Sequence, residues 1–264
     1  MQNRYAGDVG DFAKIGLLRA VAEGNDDGPS FRVGMHWYLV PDGGPAGDGR
    51  HIAYLEADGP QSCRACDPLL HRALRKLVQS GRRTVLGLMS DGVFPHSTQS
   101  FHEPLSFVAA ARSARLRLAE REAWMARAYA ALADCDIIFA DPDNGLEVAS
   151  TLRTNSAGPK YAFFDELSPF LQRGQSLIVY QHVNRRAGAL TQAKRRLAEI
   201  AIRLPYGRHA FALRFRRFSG RFFFFVPVPG HWSHLRARAR AMCAGTWQSR
   251  FDFLDAPKSA RRDQ

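Results

Sequence analysis

Cysteine is scarce in this chain: Cys63, Cys66, Cys135 and Cys243 are the only four among 264 residues. So few thiols over such a length do not make a disulfide framework, which excludes the small disulfide-stapled classes. Long apolar stretches are missing too. The longest apolar run, at 222–229, falls far short of the roughly 18 residues a membrane span requires and suits a buried strand. The opening residues 1–8 hold no hydrophobic signal region, and the expected location is the cytoplasm. Acidic residues are in deficit: 25 Asp and Glu stand against 37 Lys and Arg, for a formal charge of +12. That balance favours an anionic partner, and with no membrane segment the expectation is nucleic acid, RNA or DNA.

What is present is an alternation of helical and strand patterns without an internal repeat. A short amphipathic helix from Gly16 is followed by a β-branched and aromatic strand at 31–40, which breaks at the glycine-rich loop 41–49. Residues 67–79 read as a helix and 84–89 as a second strand, while 95–112 fits neither pattern. From 113 the periodicity sharpens. Leu118, Met125, Tyr129 and Leu132 share a helix face that leads into an apolar strand at 135–140. A second unit follows, with a helix at 166–172, a stop at Gly174 and a strand at 176–180. The helix at 190–204 then precedes a hairpin of strands 209–216 and 221–227, and 232–242 is helical.

The fold class expected from this order is α/β: a mostly parallel open sheet with helices on both faces and a C-terminal antiparallel hairpin, methyltransferase-like and Rossmann-related. Residues 1–255 read as one domain, with 43–83 as an inserted segment and 256–264 as a disordered tail. In such sheets ligands bind beyond the carboxyl ends of the strands, so the informative loops are 41–50, 90–96, 141–147 and 181–186.

The densest chemical signal is Asp141, Pro142, Asp143 and Asn144, followed by Gly145 and Glu147, at the exit of the apolar strand. Three carboxylates and an amide within seven positions are costly unless something partners them. These residues, with residues 5–14 (Tyr-Ala-Gly-Asp-Val-Gly-Asp-Phe-Ala-Lys), carry a resemblance. The chain resembles the bacterial enzymes that methylate an adenine of large-subunit ribosomal RNA on its exocyclic amine, within the class I S-adenosylmethionine-dependent methyltransferases. Gly7, Asp11 and Lys14 fall in register with that family's amino-terminal His-Ala-Gly-Asn-His-Ala-Asp-x-x-Lys-His signature, and the 141–144 segment resembles its Asp-Pro-Pro-Tyr. Short stretches covering about a quarter of the chain are involved.

The resemblance implies S-adenosylmethionine as cofactor, bound with help from Lys14, Asp11 and the 42–49 loop through Asp42, Gly43 and Gly44, with Asp91 in the next loop. It implies that Asp141 and the Pro142 carbonyl accept hydrogen bonds from the target amine, beside Asp143 and Asn144. In-line positioning and acceptors for the growing charge on nitrogen are what such a transfer needs. Tyr5, His182, Arg185 and Arg186 are the substrate-side candidates. Asp143 stands where the family has a second proline, Asn144 where it has the base-stacking aromatic, and Ile15 where it has a histidine. Stacking on an extruded base must therefore come from elsewhere, or the substrate is not a base.

Two other readings use the same features. Asp141, Asp143 and Glu147, with Asp165 or Glu166, form a candidate magnesium site of a nuclease, with Lys160 beside the scissile phosphate. A catalytically inactive nucleic-acid-binding relative would keep only fold and charge. Cys63 and Cys66 with His51 and His71 are a candidate zinc set, though one cysteine pair is poor support for it. Arg214, Arg216, Arg217 and Arg221 are candidates for a phosphate-contacting rim. Trp37, Tyr38 and 222–225 read as core. Arg236, Arg238 and Arg240 either face nucleic acid or cover the sheet edge.

Overall fold

A seven-stranded sheet forms the centre of the computed structural model, which describes residues 1–23, 28–42, 51–57, 62–107, 113–184, 186–217 and 220–256. Its strands are β1 (Val33–Trp37), β2 (Gln99–Phe101), β3 (Ile137–Asp141), β6 (Ser176–His182), β7 (Phe211–Phe215), β8 (Arg221–Val226) and β9 (Phe251–Asp255). Two dipeptide strands, β4 (Gly145–Leu146) and β5 (Tyr161–Ala162), pair separately with each other. Spatial order is β2-β1-β3-β6-β8-β7-β9. The first four strands are parallel; β8 runs antiparallel between β6 and β7, and β9 lies antiparallel on β7. This is the α/β, Rossmann-like arrangement the pattern leads to, with the hairpin in place and β9 as an unforeseen strand beyond it.

Helices cover both faces. On one side lie α1 (Val9–Ala22), α2 (Pro68–Gln79), α3 (Val85–Ser90) and α7 (Trp232–Ala244), whose Phe12, Leu74, Leu88 and Leu235 pack with Met35, Phe139, Ile178 and Phe223. On the other lie α4 (Ala114–Ala131), α5 (Phe164–Gln172) and α6 (Ala189–Arg203), whose Trp124, Leu167 and Leu197 pack with Ile138, Leu177, Phe222 and Phe224. The phenylalanine run 222–225 is apolar without alternation because β8 is buried on both faces. Trp37 and Tyr38 are core residues, as expected.

Two elements differ from expectation. Helix α1 begins seven residues before Gly16 and is not amphipathic: twelve of its fourteen residues are buried. The Asp8 side chain starts it by accepting from Gly10 N at 2.7 Å and Asp11 N at 3.1 Å. Its outer side is covered by α7 and by Trp247, whose ring lies 5.0 Å from that of Phe12. Residues 84–89 are helical rather than extended. Thr84 caps α3 by accepting from Gly87 N at 2.9 Å, and Val85 and Leu88 are buried while Leu86 is exposed, a helical spacing. The 95–112 region contributes β2. Residues 257–264, which include most of the expected tail, lie outside the described residues. Among the described residues no helix is long and apolar enough to cross a membrane.

Candidate active site at the end of strand β3

β1 pairs with β2 on one side and β3 on the other, so the strand order reverses at β1, and Trp37 sits opposite Asp141 at the carboxyl end of that crevice. Side-chain alternation then selects who faces α1. Ile137 and Phe139 belong to the α1-side core, and two residues on, Asp141 follows them. The same parity carries Ile178 and Tyr180 to His182 on β6, and Phe225 and Phe223 to Arg221 on β8. Four polar side chains from three strands thus converge on the amino end of one helix.

They line a cleft of about 400 Å³ together with Tyr5, Asp8, Asp11, Lys14, His51, Lys160 and the 142–144 turn. That size is in the range of small-molecule sites. At its floor the Lys14 ammonium lies 2.7 Å from Asp141 Oδ2 and 2.9 Å from Asp11 Oδ1, with all three side chains no more than 3 % exposed. The second Asp11 oxygen accepts from Gly7 N at 2.9 Å. Aromatic rings of Trp37 and Tyr180 stand 4.7 and 5.4 Å from the ammonium. Burial works against its charge, yet Asp11 and Asp141 together hold the Lys14 pKa well above its usual value. One ammonium cannot neutralise two carboxylates, and burial, opposed by Lys14, pushes Asp11 up to about 6.

A second chain of contacts flanks the first. Arg221, 1 % exposed, donates from Nε to the Tyr180 hydroxyl at 2.8 Å and places Nη2 3.7 Å from Asp8 Oδ2. Gly10 permits this approach, since a Cβ there would stand 2.8 Å from Arg221 Nε. The Tyr180 hydroxyl is in turn 3.2 Å from His182 Nε2. His182 opens one edge to solvent, but surrounding protein and then the Arg221 guanidinium lower its pKa to about 4, so it is neutral at pH 7.

The turn after β3 is held from several sides. Asp143 is met by Gln2 Nε2 at 3.2 Å, Lys160 Nζ at 3.3 Å and the Met1 amine at 3.9 Å. Despite burial, the amine and Lys160 keep its carboxyl below the usual range. Asn144, exposed, donates its backbone N–H to the Lys160 carbonyl at 2.8 Å. Gly145 has φ +92°, and a Cβ there would be 2.5 Å from Gln181 Cγ; only glycine fits.

Of the residues proposed from sequence, Tyr5, Asp11, Lys14, Asp141, Pro142, Asp143, Asn144 and His182 all line this cleft. Others do not. Asp42 is exposed outside it, accepting from Arg4 N at 3.5 Å, and Gly43 and Gly44 lie outside the described residues. Asp91 pairs with Arg82 at 2.9 Å after α3; it misses the cleft because 84–89 is not a sheet strand. Arg186 is exposed and anchors its N–H on Asn184 Oδ1, and Arg185 lies outside the described residues. Arg221 is a buried structural cation rather than part of a rim, and Arg214 and Arg216 pair with Asp252 of β9.

The magnesium set is dispersed. Glu147 pairs with Arg203 at 2.8 Å and accepts from Phe164 N, Asp165 pairs with Arg153, and Glu166 pairs with Arg121. His71 contacts the Tyr54 carbonyl, and His51 belongs to the cleft, so neither joins Cys63 and Cys66. Among the described residues no group of three or more potential ligands could hold a metal. Arg238 donates to the carbonyls of Val21 and Ala22, and Arg236 and Arg240 pair with Asp255, so α7 covers the sheet edge. Asp8 is not among the residues the sequence singles out, whereas Tyr180, at its strand end beside His182, faces the crevice as the strand order implies. The signal for Asp8 was its position two residues before Gly10, a helix start read too late. Comparison with protein-family models, with characterised proteins and with solved structures finds no match.

Proposed function

We propose that this protein is an S-adenosylmethionine-dependent methyltransferase that modifies nucleic acid, on an exocyclic amine of a base. One observation carries the reading. The two segments that resemble the ribosomal RNA adenine methyltransferases, 127 residues apart at Lys14 and Asp141, meet through a 2.7 Å ion pair at the strand-order reversal. Nothing in either segment alone requires that meeting.

The residues present suit such a donor. In a chain of charge +12 the cleft gathers four carboxylates, Asp8, Asp11, Asp141 and Asp143, balanced by Lys14, Lys160, Arg221 and the Met1 amine. Within a basic protein, a site this rich in carboxylates offers counter-charges to a cationic ligand. S-adenosylmethionine would supply an electrophilic methyl group on a sulfonium cation, with Asp11 and Asp141 as counter-charges. Lys14, enclosed between those carboxylates, orients Asp141 rather than reaching a ligand itself. Asp141 and the Pro142 carbonyl then accept hydrogen bonds from the target amine, aim its lone pair and stabilise the positive charge that grows on nitrogen. The proton that the methylated amine sheds passes to water, since His182, lowered to about 4, is a weak base at pH 7.

The test is methyl transfer from tritiated S-adenosylmethionine to nucleic acid isolated from cells deleted for the gene. Label incorporated by the wild type and reduced at least about 100-fold by Asp141→Asn is the expected result, the scale of losing one transition-state acceptor. No incorporation into either RNA or DNA would refute the reading.

A further inference from the structure

Beside the cleft is a second pocket of about 360 Å³, formed where the loops after β1 and β2 meet the start of α4 and the 156–160 segment. Val40, Leu105, Phe107 and Pro159 give it an apolar lining, and Arg117 and Lys160 give it charge. Lys160 lines both cavities. Its side chain is 38 % exposed while its ammonium lies 3.3 Å from Asp143, so it stands on the boundary between them.

From this arrangement we infer that the second pocket binds an unpaired nucleotide adjacent in the strand to the one whose base enters the cleft, with the phosphate between them on Lys160. The inference rests on the nucleic-acid reading above. A simple anion would need the two cations but not the apolar lining, and an apolar ligand would need the lining but not the cations. A nucleobase with its phosphate uses both, burying its ring faces against Leu105 and Phe107 and pairing its charge with Lys160 and Arg117. A cation shared by two pockets matches a phosphate shared by two nucleotides. Two of its walls are held in place: Leu105 N donates to the Leu39 carbonyl at 2.9 Å, Trp124 Nε1 to the Glu103 carbonyl at 2.9 Å, and Arg121 to the Gly158 carbonyl at 2.7 Å. The Leu105 and Pro159 sides therefore have little left to order on binding.

The test is fluorescence anisotropy with a labelled 12-nucleotide oligoadenylate, as RNA and as DNA, and with an abasic strand of equal length. Wild type should bind at least one of the two base-bearing strands, and Phe107→Ala should weaken that binding about tenfold, the scale of one lost stacking contact. The abasic strand should bind wild type and Phe107→Ala alike. Lys160→Gln, a change at a half-buried position, should lower the slope of log affinity against log salt by about 0.7. Absence of strand binding, or a Phe107→Ala protein that binds like wild type, overturns the proposal. Titration with S-adenosylhomocysteine separates the sources of a base: loss of that ligand in Phe107→Ala would assign the pocket to the donor's adenine and also overturn it. Failure of wild type to bind S-adenosylhomocysteine would count against the methyltransferase reading, while the strand results would still decide this one.

Discussion

Lys14 is the residue on which the cleft floor depends. Removing it leaves Asp11 and Asp141 buried without their shared cation, and breaking a buried pair in this way costs about 3–5 kcal/mol. Lys14→Ala should therefore lower the denaturant midpoint strongly, and adding Asp11→Asn should recover part of the loss by removing one repelling charge. Equal stability of the single and double variants would contradict the triad. His36, on β1, offers a test by pH. Both ring nitrogens lack a hydrogen-bond partner among the described residues, and the ring packs 4.4 Å from Tyr38 and 4.8 Å from Trp124. Burial, then the Arg121 charge, lowers its pKa to about 3. Between that value and the unfolded value near 6.5 the unfolded chain binds the extra proton, so stability falls as pH drops through this window. At pH 4.5 this group alone should cost roughly 2–3 kcal/mol relative to pH 7. Asp11, raised to about 6, acts in the opposite sense, with stability falling as pH rises toward that value. Comparing urea melts of wild type and His36→Phe cancels the Asp11 contribution: the variant should gain on wild type as pH falls, and parallel curves would refute the assignment.

Among the elements, the 158–161 segment is the cleft wall most dependent on a single distant side chain. Arg121 of α4, wholly buried, pairs with both oxygens of Glu166 on α5 at 2.6 and 2.9 Å and donates to the carbonyls of Gly158 and Tyr161. It thereby sets Lys160 and the β4–β5 pairing. Arg121→Met should lose about 3 kcal/mol, because Glu166 stays buried with only Arg153, 3.8 Å away, to meet its charge. It should also speed amide exchange at Asn144, whose N–H is held by the Lys160 carbonyl, well before exchange in β3 itself. Unchanged exchange at Asn144 would show that the segment holds itself.

Much of this was legible in the sequence where a pattern is local. The helix before β3, the strand ending in Asp141 and the 211–226 hairpin follow from periodicity and turn residues. Residues 84–89 read as a strand because a short apolar run fits either element until the Thr84 cap decides. The Asp8–Arg221 and Tyr180–His182 contacts stayed hidden, because the first joins the start of the chain to its last third and the second depends on which face β6 presents. Asp42 and Asp91 follow stretches that read as strands; the one lies outside the cleft and the other follows a helix.

At the scale of the whole molecule, the cleft differs in charge from the basic chain that surrounds it. The surface of a chain at +12 attracts a polyanion, while the cleft balances its four carboxylates with four cations, the Met1 amine included. Binding of nucleic acid should therefore weaken steeply with salt, whereas binding of a small cationic donor in the enclosed cleft should change little. The donor's affinity should instead fall as pH drops through about 6, where Asp11 takes up a proton. The most direct test of the central claim is calorimetric titration of the purified protein with S-adenosylmethionine and S-adenosylhomocysteine, alongside Asp141→Asn. The account predicts one-to-one binding of the donor, weakened in the variant; no detectable heat with either compound at millimolar concentration would contradict it.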